Sequence, residues 1–350
     1  MNRTPRITTT LAIAVLAASA ALAGCGSSGS GTNASNAKKL VVYNGREVEL
    51  VEPLFKKFEQ DTGIKLEVRN AESPELAATL QEEGKKSPAD VFYAQDAGSI
   101  GSVARAGMLA TLPVGVGETV DPRFRDSANR WTGITGRARV LAYNTDALKE
   151  ADLPTSVLEL TQPKWKNRIG IAPGNASFQG FITGMRLQQG EAKTRAWLQA
   201  MKANGVKTFE KNAAIVEAVS RGEIDAGLVN HYYLYEIKAE NPKAPVANHF
   251  FKNGDPGTLV NASTAGILET AKHKQQATIF MNYLLNEGQL FFANDAEERE
   301  YPLNKESGAK DPEGLPPLDS IHGPDVDLSG FGAQLPATAR MIQSIGFQGT

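Results

Sequence analysis

The chain has one cysteine, Cys25, in 350 residues. That excludes an internal disulfide and a thiolate zinc cluster. Four histidines argue against a histidine-rich metal centre. Charge of one sign is also lacking: 37 basic residues stand against 39 acidic ones, net −2, which gives no electrostatic case for nucleic acid. The chain is 41% hydrophobic, too apolar for disorder, and 33 Gly and 18 Pro break it too often for a long coiled coil. Catalytic signatures are missing as well. There is no Gly-x-Ser-x-Gly elbow, no His-Glu-x-x-His helix and no Gly-x-x-x-x-Gly-Lys-Ser/Thr phosphate loop. Gly115-Val116-Gly117 lacks a third glycine and reads as a turn. The Glu82-Glu83 and Glu297-Glu298 pairs sit in polar, helix-like runs and read as solvated faces. His249, His273 and His322 are isolated in polar contexts and read as surface histidines. These absences argue against an enzyme.

What is present begins with an address. Arg3 and Arg6 are the only charges before an apolar run from Leu11 to Ala23, too short to span a membrane stably. This is the layout of a secretory signal. The run ends Leu22-Ala23-Gly24-Cys25, which resembles the bacterial lipobox. The resemblance implies cleavage after residue 24 and acylation of Cys25, whose two or three chains anchor durably at about 0.8 kcal/mol per buried methylene. An ordinary signal that happens to contain a cysteine is the alternative. Cleavage removes Arg3 and Arg6 and moves the net charge from −2 to −4. Residues 25–38 are then the acylated cysteine and a Gly/Ser-rich flexible tether. The folded body is expected to start near Lys38, outside the cytoplasmic membrane.

A length of 350 residues suggests two domains. Leu40-Val41-Val42-Tyr43 is a strand ended by the turn Asn44-Gly45. From Glu47 to Asp61, Leu50, Val51, Leu54, Phe55 and Phe58 recur at helical spacing, and Gly63 stops the helix. Ile64–Val68 alternates as a strand. Ser73-Pro74-Glu75 starts a helix, with Ser as cap and Pro first, ending near Gly84. Ala89–Tyr93 is a buried strand, and Ile100, Val103 and Ala104 stripe a helix ending at Gly107. Further strands are expected at Arg137–Tyr143, Ile169–Ile171 and Ala226–Val229, with helix stripes Phe181, Ile182, Met185 and Ile215, Val216, Val219 between them. Strands alternating with helices predict an α/β fold with parallel pairing, here two lobes around a cleft. Ligands in such sheets sit beyond the carboxyl ends of strands. That singles out Asn44–Glu47, Ala94–Asp96, Pro173–Phe178 and Asn230–Tyr233.

The sharpest chemistry lies in Asn230-His231-Tyr232-Tyr233. Adjacent residues in a strand point to opposite faces and could not share a ligand. At the start of a helix they diverge by about 100°, and long phenol side chains can converge. Asn230 can cap that helix. Ferric iron is hard and prefers anionic oxygen. A phenol titrates near a pKa of about 10, and a trivalent cation would deprotonate it. Two phenolates would cancel two of its three charges. On the dipeptide alone, two tyrosines packing at a lobe surface remain an open alternative.

The chain resembles the ferric-iron-binding solute receptors of bacterial ABC transporters from about Leu40 to Gly330. The matching stretches are Leu40–Arg46, Ser87–Gln95, Gly136–Asn144, Ile171–Phe178, Asn230–Tyr233 and Tyr301–Leu303. The resemblance implies a two-lobed periplasmic-binding-protein fold of type II, its lobes joined by crossover strands and closing on the solute. The expected lobes are 39–139 plus 264–314 and 140–263 plus 315–350. It implies metal ligation by Tyr232 and Tyr233. A histidine ligand of some members falls on Glu47, a plausible hard-oxygen replacement. A glutamate ligand falls on Gln95, a neutral amide better suited to donating hydrogen bonds than to ligation. A third tyrosine of other members falls on Phe178, which cannot ligate. A synergistic anion, phosphate or carbonate, maps to Asn175, Ala176, Ser177, Asn212 and Asn230, with Arg139 beside it. Ordinary capping by Asn175, Ser177 and Asn230, and a surface ion pair for Arg139, are the plain alternatives.

The leading expectation is a monomeric, lipid-anchored receptor that captures ferric iron and delivers it to a membrane permease. Open and closed forms would exchange, and acid would favour release because protons compete for the ligand oxygens. The altered accessory ligands keep other solutes open: thiamine, a phosphonate, a polyamine or a sugar phosphate. An exported hydrolase is the alternative from another class.

Overall fold

A computed structural model describes residues 39–295 and 299–347. The signal segment, Cys25, the tether and the Glu297-Glu298 pair lie outside the described residues. The chain opens with β1 (Lys39–Asn44), α1 (Val48–Thr62), β2 (Lys65–Asn70), α2 (Ser73–Glu83), β3 (Val91–Ala94) and α3 (Ala97–Arg105). Then come β4 (Thr132–Asn144), β5 (Ile169–Ile171), α4 (Ala176–Gln189), α5 (Glu191–Ala203), β6 (Lys207–Thr208) and α6 (Asn212–Ser220). β7 (Ala226–Asn230), α7 (Tyr233–Glu240), β8 (Val246–His249) and β9 (Val260–Ile267) follow. The described chain closes with α8 (Lys274–Leu285), α9 (Glu287–Leu290), β10 (Tyr301–Pro302) and α10 (Phe331–Ser344). No helix among the described residues is long and apolar enough to cross a membrane.

The local rules act as the spacing predicts. α1 buries Val51, Leu54, Phe55 and Phe58, each worth roughly 1.5–3 kcal/mol when fully removed from water. It stops at Gly63, whose φ of 69° a residue with a Cβ adopts only at a cost. The start of α2 departs from expectation. Glu72 occupies the cap position, and Ser73 is the first helical residue. The Ser73 hydroxyl turns instead to the chain ends of two strands. It donates to the Gly45 carbonyl at 3.0 Å and accepts from the Gln95 amide at 2.7 Å. Ser73 thus latches the turn after β1 to the turn after β3, and both lead to the site. Gly45 lies so close that a Cβ there would sit 2.1 Å from the Ser73 hydroxyl oxygen.

The strands order as β2-β1-β3-β9-β4-β7-β5-β6. β1 pairs in parallel with β2 and β3, and β5 in parallel with β6 and β7. The middle is antiparallel: β9 lies between β3 and β4, and β7 against β4. β4 extends back to Thr132, beyond the expected Arg137, through Gly133, Gly136 and a register shift between them. Glycines weaken a strand pattern, so this half carries little local signal. Its partners change along its length. Thr132–Ala138 pairs with β9, whereas Arg139–Tyr143 pairs with β7. α10 packs on α3 and on α4, with Gly332 against Gly101 and the Thr338 hydroxyl 2.8 Å from that of Thr183. A large apolar cluster fills most of the body. A smaller one gathers Val140, Ile215, Val216, Val219 and Val229 around Tyr232 and Tyr233.

Candidate metal centre

β7 ends at Asn230, and the chain turns through His231 and Tyr232 into α7. Tyr232 already has helical angles, φ −73° and ψ −25°. The two tyrosine rings lie 4.4 Å apart, tilted by 37°, and both residues are buried in the smaller apolar cluster. Their hydroxyls converge, with Tyr232 Oη donating to Tyr233 Oη at 3.3 Å. Packing at a lobe surface is therefore not their arrangement.

Two amides meet the same phenol oxygen. Gln95 Nε2 and Asn230 Nδ2 each donate to Tyr232 Oη at 3.3 Å. Donors on a phenol oxygen favour its anionic form. Asn230 thus uses its side chain on Tyr232, and α7 has no side-chain cap. Gln95 Oε1 and Asn212 Oδ1 are both buried without a hydrogen-bond partner. A buried unpaired acceptor costs about 1–3 kcal/mol, so these oxygens suit a site completed by something it binds.

Arg139 is buried beside this pair. Its Nη1 donates to Ser177 Oγ at 3.2 Å and its Nη2 to the Leu228 carbonyl at 2.7 Å. The guanidinium stands 5.7 and 5.6 Å from the ring centres of Phe178 and Phe181. Burial pulls its pKa down to about 9, against the opposing charges of Tyr233 and Tyr232. A surface ion pair is thereby ruled out. Asn175 caps α4 by accepting from the Ser177 amide at 2.9 Å. Its Oδ1 also accepts from Ser177 Oγ at 2.6 Å and Asn212 Nδ2 at 3.1 Å. Asn212 Nδ2 reaches Ser177 Oγ at 3.0 Å. Asn175, Ser177, Asn212 and Arg139 form one buried network at the head of α4, which begins at Ala176.

Glu47 is half-buried at the cap position of α1, where its side chain makes no cap hydrogen bond. Its charge acts on Glu72, whose carboxyl is held above the ordinary range by desolvation first and Glu47 second. Phe178 is buried 5.8 Å from Phe181, in the core under Arg139. No cluster of three or more His, Cys, Asp or Glu among the described residues could hold a metal.

Sequence reasoning passed over two features. His231, inside the tyrosine motif, is buried; its Nδ1 accepts from the Ala138 amide at 3.2 Å and its Nε2 donates to the Arg299 carbonyl at 3.1 Å. Burial pushes its pKa down to about 4, so it is the neutral Nε2–H form. It ties the turn after β7 to the point where β4 changes partners. The other is Arg46, at the end of a matching stretch, whose Nη1 and Nη2 each donate to Glu300 at 3.0 Å. The surface reading also fails for two histidines: His249 Nε2 lies 2.7 Å from the Pro154 carbonyl, and His273 Nδ1 lies 2.8 Å from Asp90.

The strand-turn-helix site and the mixed sheet fit a class of two-lobed binding proteins, and comparison with known proteins places the chain in it. Residues 44–290 match the family of bacterial extracellular solute-binding proteins, and the chain belongs to that family. It is 35% identical over 300 residues to the Fe(3+)-binding periplasmic protein of Serratia marcescens, covering 85% of this chain and 87% of the relative. It is also 35% identical over 314 residues to the major ferric iron-binding protein of Neisseria meningitidis serogroup B, covering 88% and 93%. The crystal structure of iron-bound HitA from Pseudomonas aeruginosa superimposes with a TM-score of 0.83 at 32% identity, over 88% of this chain and 99% of that one. The fold is the type II periplasmic-binding-protein fold expected from the sequence. The chain is a solute-binding transport protein and not an enzyme, so the hydrolase alternative falls.

Proposed function

We propose that the chain captures ferric iron outside the cytoplasm and delivers it to an ABC permease. The observation that carries this reading is the convergence of two buried phenol oxygens to 3.3 Å, with two amide donors on one of them. Tyr232 and Tyr233 ligate the ion as phenolates. Gln95 and Asn230 orient Tyr232 and stabilise its charge. Glu47 is the third oxygen donor offered from the opposite side of the cleft. The ferric-binding names of the relatives support this solute over thiamine, phosphonate, polyamine or sugar phosphate.

A synergistic anion, phosphate or carbonate, completes the shell beside the metal. Its seat is the start of α4 at Asn175, Ala176 and Ser177, with Asn212, Asn230 and Arg139. The Arg139 fork suits paired oxygens. The lobes, 39–139 plus 264–314 and 140–263 plus 315–350, part around β4, and its change of partners after Ala138 supports the break near residue 139. Cys25 anchors the receptor to the membrane, and it works as a monomer.

Titration of metal-free protein with ferric citrate tests the reading. A tyrosinate-to-iron charge-transfer colour is expected, lost in Tyr232→Phe. No colour in the native chain, or equal colour in the variant, overturns it.

A further inference from the structure

Arg137 is the least satisfied charge among the described residues that the site leaves unused. It is 1% exposed, and its Nε, Nη1 and Nη2 have no hydrogen-bond partner. Glu300 Oε1 lies 3.8 Å from Arg137 Nε, an ion pair but beyond hydrogen-bond reach. Both Glu300 oxygens are already taken by Arg46, and Thr135 donates to one of them. Asp96, whose charge also acts on Arg137, spends its oxygens on the Ser99 amide at 2.9 Å and hydroxyl at 2.8 Å. A guanidinium cannot shed its proton to escape burial. Each buried donor left without an acceptor costs about 1–3 kcal/mol, and more on a charged group.

A second unpaired donor faces the same way. Asn261 is directly opposite Arg137 in the β4–β9 ladder, so the two side chains rise from one face with Cβ atoms about 5 Å apart. Asn261 is 7% exposed. Its Oδ1 accepts from the Ala97 amide at 3.3 Å and the Ala262 amide at 2.8 Å, which fixes the orientation of the side-chain amide. Its Nδ2 is left without a partner. Arg139 projects from the same face of β4 two residues on, about 7 Å away.

We propose that Arg137 and Asn261 form a second anion seat, separate from the Asn175–Ser177–Arg139 network, for a small planar oxyanion of the carboxylate or bicarbonate type. Both groups offer only donors, so they select an acceptor. The guanidinium fork matches two coplanar oxygens. The seat lies on the two strands, β4 and β9, at the place where β4 leaves β9 for β7. An anion there fastens the junction of the two strand sets. The inference stands apart from the identity of the transported metal.

Metal-free full-length protein tests it by thermal unfolding, with sodium formate or bicarbonate replacing chloride at constant ionic strength. The folding equilibrium constant is expected to rise about tenfold per tenfold increase in formate above its Kd. Arg137→Met should abolish that response. Asn261→Asp, which puts a carboxylate into the seat, should unfold at least as high as the saturated native chain and show no response. If Arg137→Met does not fold, Asn261→Asp decides alone. A native chain indifferent to formate and bicarbonate, or an Asn261→Asp chain that keeps the native response, overturns the proposal. Charge-transfer colour with ferric citrate is read separately, so failure here leaves the iron reading testable.

Discussion

Strand β4 passes two buried polar clusters that are satisfied in opposite ways. At Thr135, Glu300 receives both ends of the Arg46 guanidinium at 3.0 Å and the Thr135 hydroxyl, whose oxygen lies 2.6 Å from that of Ser263. Burial pushes the Glu300 carboxyl up, but Arg46 and then Arg137 outweigh it and hold it below the ordinary carboxylate range. At Arg139, the phenol pair meets amide donors at 3.3 Å, and acceptors on Gln95 and Asn212 are left over. Both clusters are buried. The difference is that Glu300 is saturated by its own chain, whereas the tyrosine cluster has spare oxygens. Buried polarity that closes on itself holds a fold together; buried polarity left short of partners is where a ligand fits.

That contrast can be broken experimentally. The largest effect is expected at the saturated cluster. Glu300→Gln removes the buried charge that the Arg46 fork grips and should cost about 3–5 kcal/mol in urea unfolding. A loss well under that would mean the cluster is solvated in solution. Next comes acid. His231 is neutral in the fold with a pKa of about 4, against about 6.5 unfolded, so the unfolded chain binds the extra proton between those values. Stability should be full above pH of about 6.5 and fall by about 3 kcal/mol as pH drops to about 4. His231→Gln should flatten that part of the profile.

Gly45→Ala should cost roughly 1–3 kcal/mol, because its Cβ must displace Ser73, whose backbone Cα would lie at 2.9 Å. Weaker ferric colour in the same variant would show that the latch to Gln95 positions Tyr232. The smallest effect is expected at the unsaturated cluster. Tyr232→Phe keeps the ring packing but leaves the Gln95 and Asn230 amides without their acceptor, and should cost about 1 kcal/mol of metal-free stability, measured by the same unfolding. A large destabilisation there would make the tyrosines structural and erase the contrast.

Much of the strand and helix alternation was legible. α1 follows its apolar stripe to Gly63, and β1, β3 and β7 sit within a residue or two of the expected runs. β9 was not legible. Val260–Ile267 is buried at every position, so Asn261, Ser263 and Thr264 interrupt its apolar run without forming a polar face. Ser73 was misread because a serine before proline carries the local signature of a cap, while its hydroxyl answers to Gly45 and Gln95. His231 was hidden by its neighbours, since nothing local says that it reaches Ala138.

By itself, the sequence determined what short-range periodicity encodes: the alternation of strands and helices, the helix stop at Gly63 and the adjacency of Tyr232 and Tyr233 at a strand-to-helix turn. Tertiary structure decided which distant groups meet. It brought Gln95 to Tyr232 across 137 positions, buried Arg139 without a carboxylate and paired Arg46 with Glu300 across 254. The reason is physical. A propensity is a property of a few adjacent residues, whereas a contact between strands depends on register and on which face is turned inward, and only the assembled sheet fixes both.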